Sequence, residues 1–462
     1  MTSSLTPSLP IRLLLPSNRL ASVHAAGTDR GMTPRHGVTW QVHRWPHALL
    51  VAALWTVAGG AHAHGEADDA LPPEPGVRLS AAAAVTWLDA SKELPSQRLR
   101  GFLLQGDAGT DRQGLALEHA TLGAAWRINE MLGTELTVGK HGSDRAHVES
   151  AWVQARHDAE GADHWWLLTA GRQRPALGGT LGQGGHFDRF AQMPLAKQMA
   201  THGDWMDDGL QLGWRQDNGQ RRLSADVGLW RGRVFPGGDS GPSVPTVHLG
   251  WGQGPWQVDG FAAWLKPERR GGSVSANAGH SHTAPECNAA LKDVACFTGR
   301  STLAGASVVW AGAQSPTAWP VTLTASGWLR DEKGSLESAN GLGQYRAQNR
   351  GLWLQALWDV APQWQTGLRL ERAWTTQSLS GPGATLLASE TGLSAYQPAS
   401  RQTLVLAWHF NPRVTLSAEL GRERAAAPPG TAAGAAVGTG STSVNFAALR
   451  LVARTDWLSG GK

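Results

Sequence analysis

Cysteine, tyrosine and charge are all scarce in this chain. Two cysteines, two tyrosines and 17% charged residues are spread over 462 positions. No run approaches the roughly eighteen consecutive apolar residues that mark a helical membrane span, so the chain does not cross a bilayer with helices. Two cysteines cannot staple a fold together, and two thiols alone do not complete a metal site. In an exported chain, Cys287 and Cys296 are expected to form a disulfide that pins the polar loop carrying them; a metal pair is the alternative. No Gly-x-Ser-x-Gly elbow, phosphate-binding loop, dinucleotide fingerprint or HExxH helix occurs, so no enzymatic reading has a motif to rest on and no cofactor is implied. What the chain does hold in quantity is glycine (57) and tryptophan (23).

The first 63 residues read as an address. Arg35, His36, His43 and Arg44 precede the apolar run from Ala48 to Ala58, and Ala61-His62-Ala63 supplies small residues before a cleavage point. This is the tripartite layout of a secretory signal, with an apolar segment too short to anchor. Translation is expected to start at Met32 and the mature chain at His64, with 64–75 as a periplasmic extension. Residues 1–63 hold five of the 41 basic residues and one of the 37 acidic ones, so the remainder is balanced in formal charge. A nucleic-acid partner loses its electrostatic support.

From Gly76 onward, apolar residues recur at every second position. Leu404, Leu406, Trp408 and Phe410 share one parity before Asn411-Pro412 breaks the pattern. Val414, Leu416, Ala418 and Leu420 follow it, alternating with Thr415, Ser417 and Glu419. Leu210, Leu212 and Trp214 run into Asn218-Gly219, a strong hairpin signal. Period two puts one face in an apolar setting and the other in a polar one. About sixteen such segments are expected between 76 and 457, with 458–462 as a tail. Their connections alternate long and short, as in outer-membrane barrels with tight periplasmic turns and longer outer loops. Connections 267–300 and 331–347 are among the expected long loops. Tryptophans such as Trp126, Trp152, Trp166, Trp230, Trp251, Trp256, Trp328, Trp358, Trp364 and Trp408 fall mostly near segment ends, where indole suits the headgroup level. The expected fold is all-β: a transmembrane antiparallel β-barrel in the bacterial outer membrane, with lipid as its outer partner.

Three stretches carry a family resemblance: Leu117-Glu-His-Ala-Thr-Leu-Gly-Ala-Ala-Trp126, His147-Val-Glu-Ser-Ala-Trp-Val153, and Leu168-Thr-Ala-Gly-Arg-Gln-Arg-Pro-Ala-Leu-Gly178. They resemble successive strands of the phosphate-selective porin O/P superfamily, in which a Gly-x-x-x-Pro-like step leads into a long inward loop; Gly171 to Pro175 is similar. The resemblance implies a sixteen-stranded general or anion-preferring channel, inserted by the barrel-assembly machinery and commonly a homotrimer. Two departures stand out: Trp457 is followed by Leu-Ser-Gly-Gly-Lys, and the family's phosphate-binding arginine ladder has no residue-by-residue match.

The stretch after the fifth strand, 173–207, breaks the alternation, and an irregular insertion of that length points to function. It is expected to fold into the lumen and narrow it. Its constriction residues are Arg172, Arg174, His186, Asp188, Arg189, Lys197, His202, Asp204, Asp207 and Asp208. The basic and acidic groups either form opposing rims or pair with each other and fix the loop. Arg215, Arg222, Asp226, Arg369, Glu371 and Glu419 are expected to line the pore. His62, His64, His186, His202, His280 and His282 match no metal-ligand spacing, so no metal is assigned. The expected function is a diffusion channel for small polar or anionic solutes. The rivals are a closed accessory barrel, with metal uptake as one use, and a barrel-embedded hydrolase.

Overall fold

The computed structural model describes residues 71–92, 94, 113–142, 145–158, 163–178, 187–201, 205–233, 235, 243–273, 287, 294–312, 320–339, 341–391, 396–426 and 441–459. All lie in the compact unit Thr56–Lys462. The signal segment, the proposed cleavage point, His280 and His282 fall outside them.

The strands are β1 (Gly76–Ala90), β2 (Gly114–Arg127), β3 (Leu132–Lys140), β4 (His147–Asp158), β5 (His164–Gln173), β6 (Asp207–Asp217), β7 (Arg221–Trp230), β8 (Val244–Gln253) and β9 (Trp256–Leu265). They continue with β10 (Arg270–Ser273), β11 (Val294–Ala311), β12 (Val321–Ser338), β13 (Gly341–Ala361), β14 (Trp364–Ser380), β15 (Tyr396–Asn411), β16 (Val414–Ala426) and β17 (Ser441–Ser459). Apart from β9 and β10, consecutive strands pair antiparallel, and β1 pairs with β17 from Val77↔Ser459 to Ala90↔Phe446, which closes the wall. The four-residue β10 pairs only with β11, in line with β9, so sixteen staves make the barrel. Pro267 has no N–H to give the ladder, and Arg269 takes a left-handed backbone (φ 51°), which explains the break between β9 and β10.

The alternation read from sequence is visible as two faces. Leu122, Leu168, Leu210, Leu249, Leu354, Leu404, Leu420 and Leu449 are exposed outward, and Trp126, Trp166, Trp251, Trp256, Trp358, Trp364 and Trp457 ring one end. Apolar surface on this scale has no partner in water, and the tryptophan girdle sets its edge at the headgroups. Trp152, Trp230 and Trp328 differ from the expected girdle: they point inward and are buried. Three turns at the girdle end share one device. The Asn129 Oδ1 accepts from the Met131 and Leu132 N–H groups, Asn218 from Gln220 and Arg221, and Asn411 from Arg413 and Val414. Such side-chain turns close tight hairpins locally.

Two expected outer loops are shorter than the sequence reading had them. β12 and β13 run on until only 339–340 separates them, and β11 begins at Val294, so Cys296 sits on a strand. Beyond the membrane both faces of a strand are polar, which hid the alternation in Asp331-Glu-Lys-Gly-Ser-Leu-Glu-Ser338. The structure joins Cys296 to Cys287, with Cα atoms 5.6 Å apart.

The stretch after β5 enters the barrel. Its last part forms α1 (Leu195–Thr201), a helix absent from the sequence reading, with all seven residues buried. α1 lies against β12 to β15. Gly351 of β13 makes this approach possible, since a Cβ there would stand 2.5 Å from the Ala196 Cα and Cβ. A second helix, α2 (Ala384–Thr391), follows β14.

Candidate functional site: the constricted lumen

The segment 187–194 is irregular, so its backbone groups find no partners in a ladder of their own and must find them on the wall. The wall provides inward-facing arginines and glutamates from β12 to β17. Arg330 donates to the Ala200 carbonyl at 2.9 Å, Arg401 to Met193 at 2.8 Å, and Arg450 to Asp188 at 2.6 Å and Phe190 at 3.2 Å. Arg369 donates to the Gln192 carbonyl and Arg454 to that of Phe187. In return, Glu419 accepts from the Ala191 N–H and Glu371 from the Leu195 N–H, each at 2.5 Å. Leu195 opens α1, where N–H groups lack helical partners and a carboxylate suits the helix dipole. Arg369 also lies over the Phe190 ring at 4.3 Å.

Most of these arginines hold a carboxylate as well. Arg369 pairs with Glu371 at 2.8 Å, Arg401 with Glu423 at 2.8 Å and Arg450 with Glu118 at 2.7 Å. Arg330 is 3.4 Å from Glu332. These charges are therefore spent on fastening the loop rather than offered to solutes. Ala196 and Ala200 of α1 join an apolar cluster that includes Leu177, Trp205, Trp230, Phe261, Trp328 and Trp353.

The residues singled out from sequence separate into groups. Arg215, Arg222, Asp226, Arg369, Glu371 and Glu419 all share the inward parity of their strands, and Arg215 pairs with Asp226 at 2.9 Å. Asp188 and Arg189 lie on the inward segment and line a cavity of about 390 Å³ near the girdle-end turns. Arg174 is half-buried where the segment leaves β5. Lys197 is buried within α1 and Asp207 is fully buried, its Oδ2 accepting from the Gly232 N–H at 2.8 Å; neither forms a rim. Arg172 and Asp208 do not face the lumen. They share the outward parity of Leu168 and Leu210, stand opposite each other on β5 and β6, and pair at 3.0 Å. Of the two arrangements weighed for these charges, pairing is the one this couple adopts. His186, His202 and Asp204 lie outside the described residues.

Sequence reasoning missed Arg330, Arg401, Arg450 and Arg454 as well as Glu118 and Glu423. Their signal was a charged residue inside an alternating apolar run, as in Leu449-Arg450-Leu451. It also missed a buried group on β2 to β4, in which His119 and His141 both contact Glu149.

The barrel is similar to OmpT from the outer membrane of Vibrio cholerae, with a TM-score of 0.50 and 12% identity over 83% of this chain and 99% of that one. Other similar structures are an anion-selective porin from Comamonas acidovorans (TM-score 0.47, 15% identity, 83% and 100% covered) and OprB of Pseudomonas putida (0.44, 12%, 82% and 94%). Its fold is that of a general outer-membrane porin. At such identities the likeness is one of architecture alone. No protein-family model and no curated protein matches the chain. The lipid-facing belt of this barrel places it in the bacterial outer membrane.

Proposed function

We propose that the chain is a passive diffusion channel for small polar solutes with a preference for anions, narrowed by the segment 187–201. The observation that supports this best is the set of five wall arginines holding that segment's carbonyls inside the barrel. A sixteen-stranded barrel leaves an aqueous channel unless something fills it. Here a thin partition is fixed to one side. The cavity beside it is lined by Arg189, Arg413 and Arg454 against Asp188 and Asp359, a local excess of positive charge. Kinship with the phosphate-selective O/P porins, a trimeric state and insertion by the barrel-assembly machinery belong to the same reading.

The apolar cluster around Trp205 and Trp328 favours a second reading, a closed barrel that binds rather than conducts. Replacing residues 178–199 with a few glycines tests both. Wall arginines stripped of the loop would face water, which solvates them, so the barrel should still assemble. Single-channel conductance in planar bilayers should rise. If neither form conducts, the closed barrel replaces the channel. If both conduct equally, the partition lies outside the limiting cross-section.

A further inference from the structure

The group on β2, β3 and β4 stands apart from the fastened loop and carries different chemistry. His119 projects inward from β2, His141 follows the last residue of β3, and Glu149 lies on β4. One Glu149 oxygen, Oε1, is 2.5 Å from His119 Nε2 and 3.0 Å from His141 Nε2. The three donor atoms lie within 4.8 Å of one another, and all three residues are buried or nearly so. His147 is 4.0 Å from the same oxygen, with its side chain 39% exposed, so it opens the group to the lumen.

Two features mark this as a built arrangement. The first is a bulge at Glu149: β3 and β4 pair Thr137 with Ser150 and then Val138 with Val148, leaving Glu149 as the extra residue. A bulge re-aims a side chain that regular alternation would place elsewhere. The neighbouring β1–β2 ladder has its own, leaving Glu118 unopposed beside His119. The second is space cleared for the carboxylate. A Cβ on Gly139 would stand 2.0 Å from Glu149 Oε1, so only glycine lets the carboxylate lie there. The imidazoles are stacked in order, His119 on His141 at 4.0 Å and His141 on His147 at 5.3 Å, with Phe187 against His119 at 5.1 Å. Stacking holds the rings with both Nε2 atoms turned to one point.

We propose that His119, His141 and Glu149, with His147 or water as the fourth donor, form a lumenal binding site for a divalent transition-metal ion of the zinc class. Two imidazole nitrogens and one carboxylate oxygen are the donors that Zn²⁺, Co²⁺ and Ni²⁺ accept, whereas Ca²⁺ and Mg²⁺ take oxygen sets. The ion displaces the protons now shared between the histidines and Glu149 and bridges three staves of the wall. The site is independent of conduction and stands or falls separately from the channel reading.

The test uses the full refolded barrel in detergent, stripped with a chelator and then titrated with Zn²⁺ alone. The wild type should retain one equivalent. Glu149→Gln and the pair His119→Asn with His141→Asn should lose it, with affinity weaker by about a hundredfold or more. His280→Ala with His282→Ala should keep it. Co²⁺ in place of Zn²⁺ should give a visible absorption band in the wild type that Glu149→Gln abolishes. A folded wild-type barrel that takes up no Zn²⁺ overturns the proposal, and this needs no variant to fold. So does an equivalent that survives Glu149→Gln, or one that follows His280 and His282.

Discussion

Arg450→Ala is the sharpest probe of how the partition is held. Arg450 makes two bonds to Glu118, Nε to Oε2 at 2.8 Å and Nη2 to Oε1 at 2.7 Å, and gives Nη1 to the carbonyls of Asp188 and Phe190. Both charged side chains are 1% exposed. Removing one partner of a buried ion pair leaves an uncompensated charge and costs about 3–5 kcal/mol. Even 3 kcal/mol corresponds to a roughly hundredfold change in an equilibrium constant. Two consequences can be measured separately. Barrel stability should fall, read as a lower temperature for the heat-modifiable gel shift. The 187–190 segment should also detach far more often, read as new conductance substates in planar bilayers. The double change Arg450→Met with Glu118→Leu removes the stranded carboxylate, so it should restore most of the thermal stability. It still leaves the Asp188 and Phe190 carbonyls without their arginine, so the substates should persist. If Arg450→Ala leaves both readouts at the wild-type level, Arg450 does not hold the loop. If the double change also abolishes the substates, the ion pair rather than the carbonyl contacts governs the segment.

Two further outcomes follow from the same geometry. Gly351→Val should drive α1 off the wall, because the new Cβ would meet Ala196 at 2.5 Å; overpacking of this kind costs about 1–3 kcal/mol, so the barrel should fold with a lower heat-modification temperature and altered conductance, and unchanged behaviour would mean that α1 yields freely. Arg189→Ala combined with Arg413→Ala should move the reversal potential in a salt gradient towards cations, because both guanidiniums line the cavity and Arg189 is exposed; the shift should shrink as salt shortens the screening length, and no shift at low salt would place the selectivity elsewhere.

The wall was legible because lipid outside and water inside impose opposite demands on adjacent residues. Leu404 to Phe410 and Val414 to Leu420 show that demand without interruption. Legibility ended where the demand did. Above the membrane, β12 and β13 continue with polar residues on both faces, so periodicity no longer separated strand from loop. Arg172 and Asp208 illustrate a different failure. Their parity, continuous with Leu168-Ala170 and Leu210-Leu212, pointed outward, but their closeness in sequence to Arg174 and Asp207 grouped them with the insertion. The histidine group was invisible for a third reason. His119 and Glu149 are thirty residues apart, a bulge aligns them, and neither shows as a motif.

The distribution of charge inside the barrel follows from the backbone of the inward segment. A helix or strand satisfies its own N–H and C=O groups, but 187–194 does neither, and an unpaired buried peptide group is costly. Arginine answers for carbonyls because its fork can serve a carbonyl and a carboxylate together, as Arg401 does with Met193 and Glu423. Glutamate answers for N–H groups, as Glu371 does at the start of α1. Arg330, Arg369, Arg401 and Arg450 therefore each bring a carboxylate with them, and these pairs cancel in the field that a solute meets. Selectivity is left to the few charges that serve no peptide group, of which Arg189 is the most exposed on the segment itself. The dense arginines of β12 to β17 are thus a record of how the loop is held, and the sparse charges around the cavity are where solute preference should be sought.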